Sequence, residues 1–163
     1  MHRFLGDIEG FLSKVFLALK TDGIDVSTYL LDHICYRVET SDRYEQCKME
    51  LSKSGQQLSE NMINGRPIST YKLREPIVFE GRAIACVEVP APKAEHNYPE
   101  GLEHVEFVID CSFDEFMGRY ARVRFDISNM NNPRNPDVKI QYHGFCVKFH
   151  LSSLEDVICY EQS

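Results

Sequence analysis

Near the start of the chain, apolar residues recur at three- and four-residue spacing: Phe4, Leu5, Ile8, Phe11, Leu12, Val15, Phe16 and Leu19. This is the stripe of an amphipathic helix, predicted over about residues 3–20 and ended by Gly23. The period then changes. Ile34, Tyr36 and Val38 alternate with His33, Cys35 and Arg37, which predicts a strand at 33–38. Thr40-Ser41-Asp42 offers helix caps, and Tyr44, Cys47, Met49 and Leu51 give a second helical pattern up to Gly55. Asn64-Gly65 is a tight-turn dipeptide, although Pro67 weighs against a simple hairpin. Strands are predicted at 68–73 and as a pair within 76–89 that turns near Glu80-Gly81. Pro90, Pro92 and Pro99 mark a linker.

Beyond the linker the same order returns. A strand at 104–109 is followed by a helix at 113–121 that starts at Ser112 or Asp114. A turn-rich stretch, 128–137, leads to closing strands at 138–142 and 145–150 and a short helix at 154–160. The repetition extends to the letters: Leu31-Asp32-His33-Ile34-Cys35-Tyr36-Arg37-Val38 matches Leu102-Glu103-His104-Val105-Glu106-Phe107-Val108-Ile109. The shared pattern is Leu, acid, His, β-branched, any, aromatic, any, β-branched. The chain therefore reads as an α+β protein with a duplicated unit, one domain with an N-terminal helix (1–28) and two βαβββ modules, 29–92 and 100–163.

Strand alternation sorts these residues by face. Ile34, Tyr36 and Val38 oppose His33, Cys35 and Arg37, and Val105, Phe107 and Ile109 oppose His104, Glu106 and Val108. Ala85, Val87 and Val89 oppose Cys86 and Glu88, and Phe145, Val147 and Phe149 oppose Cys146, Lys148 and His150. One face is apolar and suited to packing under helices. The other gathers His33, His104, His150, Glu88, Glu106, Lys148 and Arg37. Ionisable groups line a sheet face when they are exposed or paired, so a concave, solvent-reachable face is expected.

Composition narrows the chemistry. Eighteen basic and 25 acidic residues give a net charge of −7, which argues against nucleic acid as a partner. No window has the apolar length of a membrane span, and Asp7 and Glu9 interrupt the apolar stretch near the N-terminus, so a cytoplasmic location is expected. The six cysteines form no CxxC pair and are read as reduced thiols, with Cys35, Cys86 and Cys146 buried. His2, His96 and His143 lie in the tail or in turns and are expected in solvent.

These residues together resemble a known family. The order β-α-β-β-β, twice, with His on the first strand of each half, is similar to the vicinal oxygen chelate superfamily, to which glyoxalase I, extradiol dioxygenases, methylmalonyl-CoA epimerase and fosfomycin-resistance proteins belong. Within it the chain resembles the YecM family. The phrases are Asp32-His33-Ile34, the run from Leu58 to Ile68 that holds Asn64-Gly65-Arg66, Lys72-Leu73-Arg74-Glu75-Pro76, Val87-Glu88-Val89-Pro90, Glu103-His104-Val105-Glu106 and Lys148-Phe149-His150. The resemblance implies a curved mixed sheet and a divalent cation held by the first and last strand of each half. Carried over by position, the ligands are His33, Glu88 and His104. Lys148 stands where many members have a fourth carboxylate, and a charged lysine does not ligate, which leaves either His150 as the substitute or a three-ligand site.

Two histidines and a carboxylate suit Zn, Fe, Mn or Ni. Glu106 and Lys148 are then candidate acid–base or supporting groups, and Arg66 and Arg37 candidate contacts for an anionic part of a small-molecule substrate. The expected function is a metal-dependent lyase, isomerase or dioxygenase acting on a small oxygen-rich molecule. The alternative is a non-catalytic module that binds a small ligand or partner, marked by a salt bridge between Lys148 and Glu88. Relatives in the superfamily form homodimers, and the duplication lets one chain complete its own site.

Overall fold

The computed structural model describes residues 3–163, and His2 lies outside them. After a short 3-10 turn at Arg3–Leu5, the chain runs α1 (Ile8–Thr21), β1 (Leu30–Arg37), α2 (Ser41–Ser54), β2 (Gly55–Ile63), β3 (Arg66–Phe79), β4 (Arg82–Pro90), β5 (Gly101–Val108), α3 (Phe113–Arg119), β6 (Asp137–Gln141), β7 (Cys146–His150) and α4 (Leu154–Glu161). The strands form one curved, open, mixed sheet of seven in the order β2-β3-β4-β1-β5-β7-β6. Each half keeps its strands together, and the doubled phrase forms the seam. β1 and β5 pair antiparallel at the centre, each flanked by a parallel partner, β4 and β7. No helix is long and apolar enough to cross a membrane among the described residues.

The first helix is shorter than its apolar stripe. Gly6 has a φ of 80°, and the Asp7 carboxylate caps the helix by accepting from Gly10 N at 2.9 Å. The stripe continues through Leu5 because the preceding turn still packs on the core. The Asn64-Gly65 turn does close a hairpin, with φ of 51° and 80°. Pro67 is tolerated because it pairs with Met62 next to the closing pair Ile63–Arg66, where the backbone N–H points away from the partner strand. Its carbonyl is used instead, accepting from Ala91 N at 2.9 Å. Strand β2 escapes sequence patterning because it is a polar edge, exposed at Gln56, Gln57 and Glu60. The predicted strands at 68–73 and 76–79 are one long β3, irregular between Lys72 and Ile77 around Pro76.

Helices α1, α2 and α3 cover the apolar face. Phe16 of α1 meets Phe107 edge-on at 6.0 Å, and Phe116 of α3 lies 4.5 Å from Phe149. Tyr44 of α2 hydrogen-bonds Ser69 at 2.6 Å. Buried Leu12, Val15, Leu19, Ile34, Val87, Val105 and Val147 complete this core. Helix α4 lies on the other face, where Lys72 pairs with Glu155 at 2.6 Å and Leu154 N donates to Asp32 at 2.8 Å. The second module is the thinner one. Where the first has β2, the second has one bridge, Asp126 to Lys139, and then the asparagine-rich turn.

Phe116 is fully buried and touches Tyr29, Tyr120, Phe125 and Phe149. Phe116→Ala is expected to destabilise the fold by about 3–5 kcal/mol, read as a lowered urea midpoint.

Candidate metal centre

The central seam explains the repeated letters. Along β1 and β5, Leu31 pairs with Phe107, His33 with Glu106, Cys35 with His104 and Tyr36 with Leu102. Two residues are left over, Asp32 in β1 and Glu103 in β5, and each is the acid of its phrase. Each acid is thus a β-bulge immediately before a histidine. Strict alternation would put Leu31 beside His33. The bulge instead sends Leu31 into the apolar core with Ile34 and leaves His33 on the polar face. It also swings the acid round to its own histidine. His33 Nδ1 donates to Asp32 at 2.8 Å, and His104 Nδ1 donates to Glu103. His150 is held likewise, with Nδ1 donating to Asn135 Oδ1 at 2.8 Å. Asn135 comes from the turn-rich stretch, where Asn132 Oδ1 accepts from Arg134 N and Asn135 N at 2.9 and 3.2 Å.

With each Nδ1 occupied, each Nε2 is free to act as a ligand, and all three point at one carboxylate. Glu106 Oε1 lies 2.9 Å from His104 Nε2 and 3.2 Å from Lys148 Nζ. Glu106 Oε2 lies 3.3 Å from His33 Nε2 and in contact with His150 Nε2. All three imidazoles and Glu106 are buried. Burial opposes charge on Glu106, but His33, His150 and Lys148 beside it hold its pKa well below the usual carboxylate range. Burial likewise opposes charge on His33, yet Glu106, Asp32 and Glu88 push its pKa up to about 10. The pocket demands positive charge around Glu106, and protons or a cation can meet that demand.

The donors suit a divalent cation. His33 Nε2 and His150 Nε2 are buried without a hydrogen-bond partner, although each lies near Glu106. Ligands bound to one ion at about 2.1 Å lie roughly 3.0–3.4 Å apart along a coordination edge, close to the 2.9 and 3.3 Å separations here. The ligand atoms of His33, His104 and Glu106 all lie within 4.8 Å of one another. Two nitrogens and one oxygen, with each histidine oriented by an acceptor behind it, form a transition-metal donor set, and His150 lies beside it against the other side of Glu106.

The sequence reading makes Glu88 a ligand and Glu106 a supporting group; in the structure the three imidazoles gather on Glu106 and not on Glu88. Register is the reason: Glu106 pairs across the seam with His33, whereas Glu88 pairs with Cys35. The Glu88–Lys148 salt bridge does not form either, because β4 and β7 are separated by β1 and β5, and Lys148 pairs with its register mate Glu106. Glu88 faces a cavity of about 70 Å³ that Thr70, Asn135, Leu154, Val157 and Ile158 also line. Arg37 and Arg66 stand apart from the centre, both against Tyr98. His96 and His143 are exposed, and all six cysteines are free thiols, with Cys35, Cys86 and Cys146 buried. Sequence reading missed Asp32, Glu103 and Asn135. The acid repeated before each histidine was the available signal for the first two.

The comparisons with known proteins agree with this architecture. A family model described as YecM protein matches residues 1–161. Protein YecM of Escherichia coli (strain K12) is 32% identical over 173 residues, covering 96% of this chain and 92% of that protein. The solved structure of Protein EC4020 from structural genomics superposes with a TM-score of 0.82 at 27% identity, covering 96% and 90% of the two chains. Streptomyces coelicolor methylmalonyl-CoA epimerase shares the fold, with a TM-score of 0.55 at 16% identity over 77% of this chain and 97% of that one. The chain therefore belongs to the YecM family and is built on the glyoxalase-type, vicinal oxygen chelate fold.

Proposed function

We propose that this protein binds one divalent metal ion through His33, His104 and Glu106, with His150 as a further ligand drawn in from beside Glu106, and uses it on a small oxygen-rich molecule as a lyase, isomerase or dioxygenase. One observation carries the reading: three imidazoles, each with Nδ1 held from behind, aim Nε2 at a single buried carboxylate. A bound ion supplies Lewis acidity toward substrate oxygens. The chain's own groups supply the rest. Asp32, Glu103 and Asn135 fix the tautomer and ring direction of the histidines. The Lys148 ammonium, 3.2 Å from Glu106, is positioned to donate a hydrogen bond to an oxyanion formed at the centre. Glu88 makes no ion pair within 4 Å among the described residues and faces the adjoining cavity, where its carboxylate is available to take a proton.

The cavity is small, about 70 Å³, and Leu154, Val157 and Ile158 of α4 form one side of it, so a substrate larger than that space needs this wall to give way. That wall is tied down by the pairs Lys72–Glu155 and Arg134–Glu161, and exposed pairs contribute only about 0–1 kcal/mol each. The second reading, a module without catalysis, has its own support. Lys148 and protonated histidines can neutralise Glu106 with no metal present.

Elemental analysis separates the two after the purified protein is reloaded with Zn, Fe, Mn, Ni and Co in turn. About one ion per chain is expected, lost in His33→Ala and His104→Ala. No stoichiometry with any of these ions would leave only the non-catalytic reading. Glu106→Gln is expected to abolish tight binding, whereas Glu88→Gln retains it. The reverse order would return the ligand role to Glu88. Asp32→Ala and Glu103→Ala are each expected to weaken metal affinity by about 10–100-fold in a chelator competition. Unchanged affinity in both would show that the bulged acids do not orient ligands.

A further inference from the structure

Four buried side-chain nitrogens lack a hydrogen-bond partner among the described residues: His33 Nε2, His150 Nε2, Arg37 Nε and Arg66 Nε. The first two belong to the metal centre. The other two mark a second place on the same face. Arg37 follows His33 and Cys35 in alternation along β1, and Arg66 precedes Ile68 and Thr70, which line the cavity with Glu88. The end of β4 lies between the two arginines. Arg66 Nη1 donates to Ala91 O at 2.9 Å and to Tyr98 Oη at 3.4 Å, while the Arg37 guanidinium lies 4.2 Å from the centroid of the Tyr98 ring.

Neither guanidinium takes part in an ion pair within 4 Å among the described residues. Arg43, Arg119 and Arg134 pair with Glu100, Glu115 and Glu161, and Arg74 and Arg82 donate to backbone carbonyls, whereas Arg37 and Arg66 each keep a buried Nε without a partner. Two half-buried cations that share one phenol therefore stand out. A guanidinium whose Nε–H is withdrawn from water and left unpaired is costly, and an oxyanion that accepts from its fork removes that cost. We propose that Arg37 and Arg66 form a binding subsite for an oxyanion, a carboxylate or a phosphate, and that the Tyr98 phenol holds the anion's place when none is bound.

The position of the subsite deepens the metal-site reading and, in this respect, rests on it. Arg37 lies two residues along β1 from Cys35, which pairs with His104, a separation of about 7 Å at the usual strand rise. A short molecule with an oxyanion at one end and oxygens at the other reaches from the arginines to the metal. Tyr98 belongs to the segment that joins β4 to β5, and its ring stacks with His96 at 6.3 Å. An anion that displaces the phenol therefore also shifts the connection between the two modules.

The test is a titration of the full chain with inorganic phosphate and, separately, with acetate, in metal-free and metal-loaded protein. Binding is followed through the arginine Nε–H signals in NMR. Saturable shifts of the Arg37 and Arg66 signals are expected. Affinity should weaken about tenfold or more in Arg37→Gln and in Arg66→Gln, with metal content unchanged. The tighter of the two probes identifies the oxyanion class. Anions that move neither signal would overturn the proposal. So would phosphate that binds only the metal-loaded protein and binds both variants as well as the parent. Arginine-dependent binding in a protein that takes up no metal would leave the subsite standing and remove the metal reading instead.

Discussion

The pairing of β1 with β5 and the carboxylate it buries set the terms for everything else in the structure. Glu106 lies opposite His33 on the innermost seam of a seven-stranded sheet, away from water. A buried carboxylate without compensation costs several kcal/mol, so the surrounding groups must supply positive charge. His33, His104, His150 and Lys148 converge there. The same demand makes the pocket suited to a divalent ion, since one cation replaces several protons.

Both bulges serve that seam. A regular antiparallel pair would put each leucine of the doubled phrase on the face of its histidine. One extra residue per strand sends Leu31 into the core, keeps His33 and His104 on the polar face, and turns Asp32 and Glu103 onto the rings that follow them. Asp32 also accepts from the first backbone N–H of α4. The orientation of His33 and the docking of the helix that walls the cavity thus depend on one carboxylate.

The two modules are not equal, and the inequality has a use. The first ends its sheet in a full edge strand, while the second has a single bridge and an asparagine-rich turn in its place. That turn folds on its own side chains, with Asn132 accepting from two backbone N–H groups, and it presents Asn135 to His150. The third imidazole is therefore oriented by a residue for which the first module has no equivalent. Strict repeat logic pairs Glu88 with Lys148 and passes over His150 with Asn135.

Much of this was legible in the letters. The doubled phrase specified the two central strands, because period-two alternation next to helical periodicity defines both element type and buried face. Alternation also collected His33, His104, His150, Glu106, Glu88 and Lys148 on one polar face. It could not rank Glu106 against Glu88, since both satisfy the same parity. That choice belongs to register: which residue lies across from His33 is set by hydrogen bonds between strands far apart in sequence, and one bulge shifts it. The acids before the histidines were visible as repeated letters, yet their task appears only when the bulge turns them toward the rings. The sequence by itself determined the fold and the chemical character of the site, both of which follow from local periodicity and residue type. The tertiary structure decided which carboxylate lies among the imidazoles and which groups orient them, because those relations are contacts between strands and have no period to read.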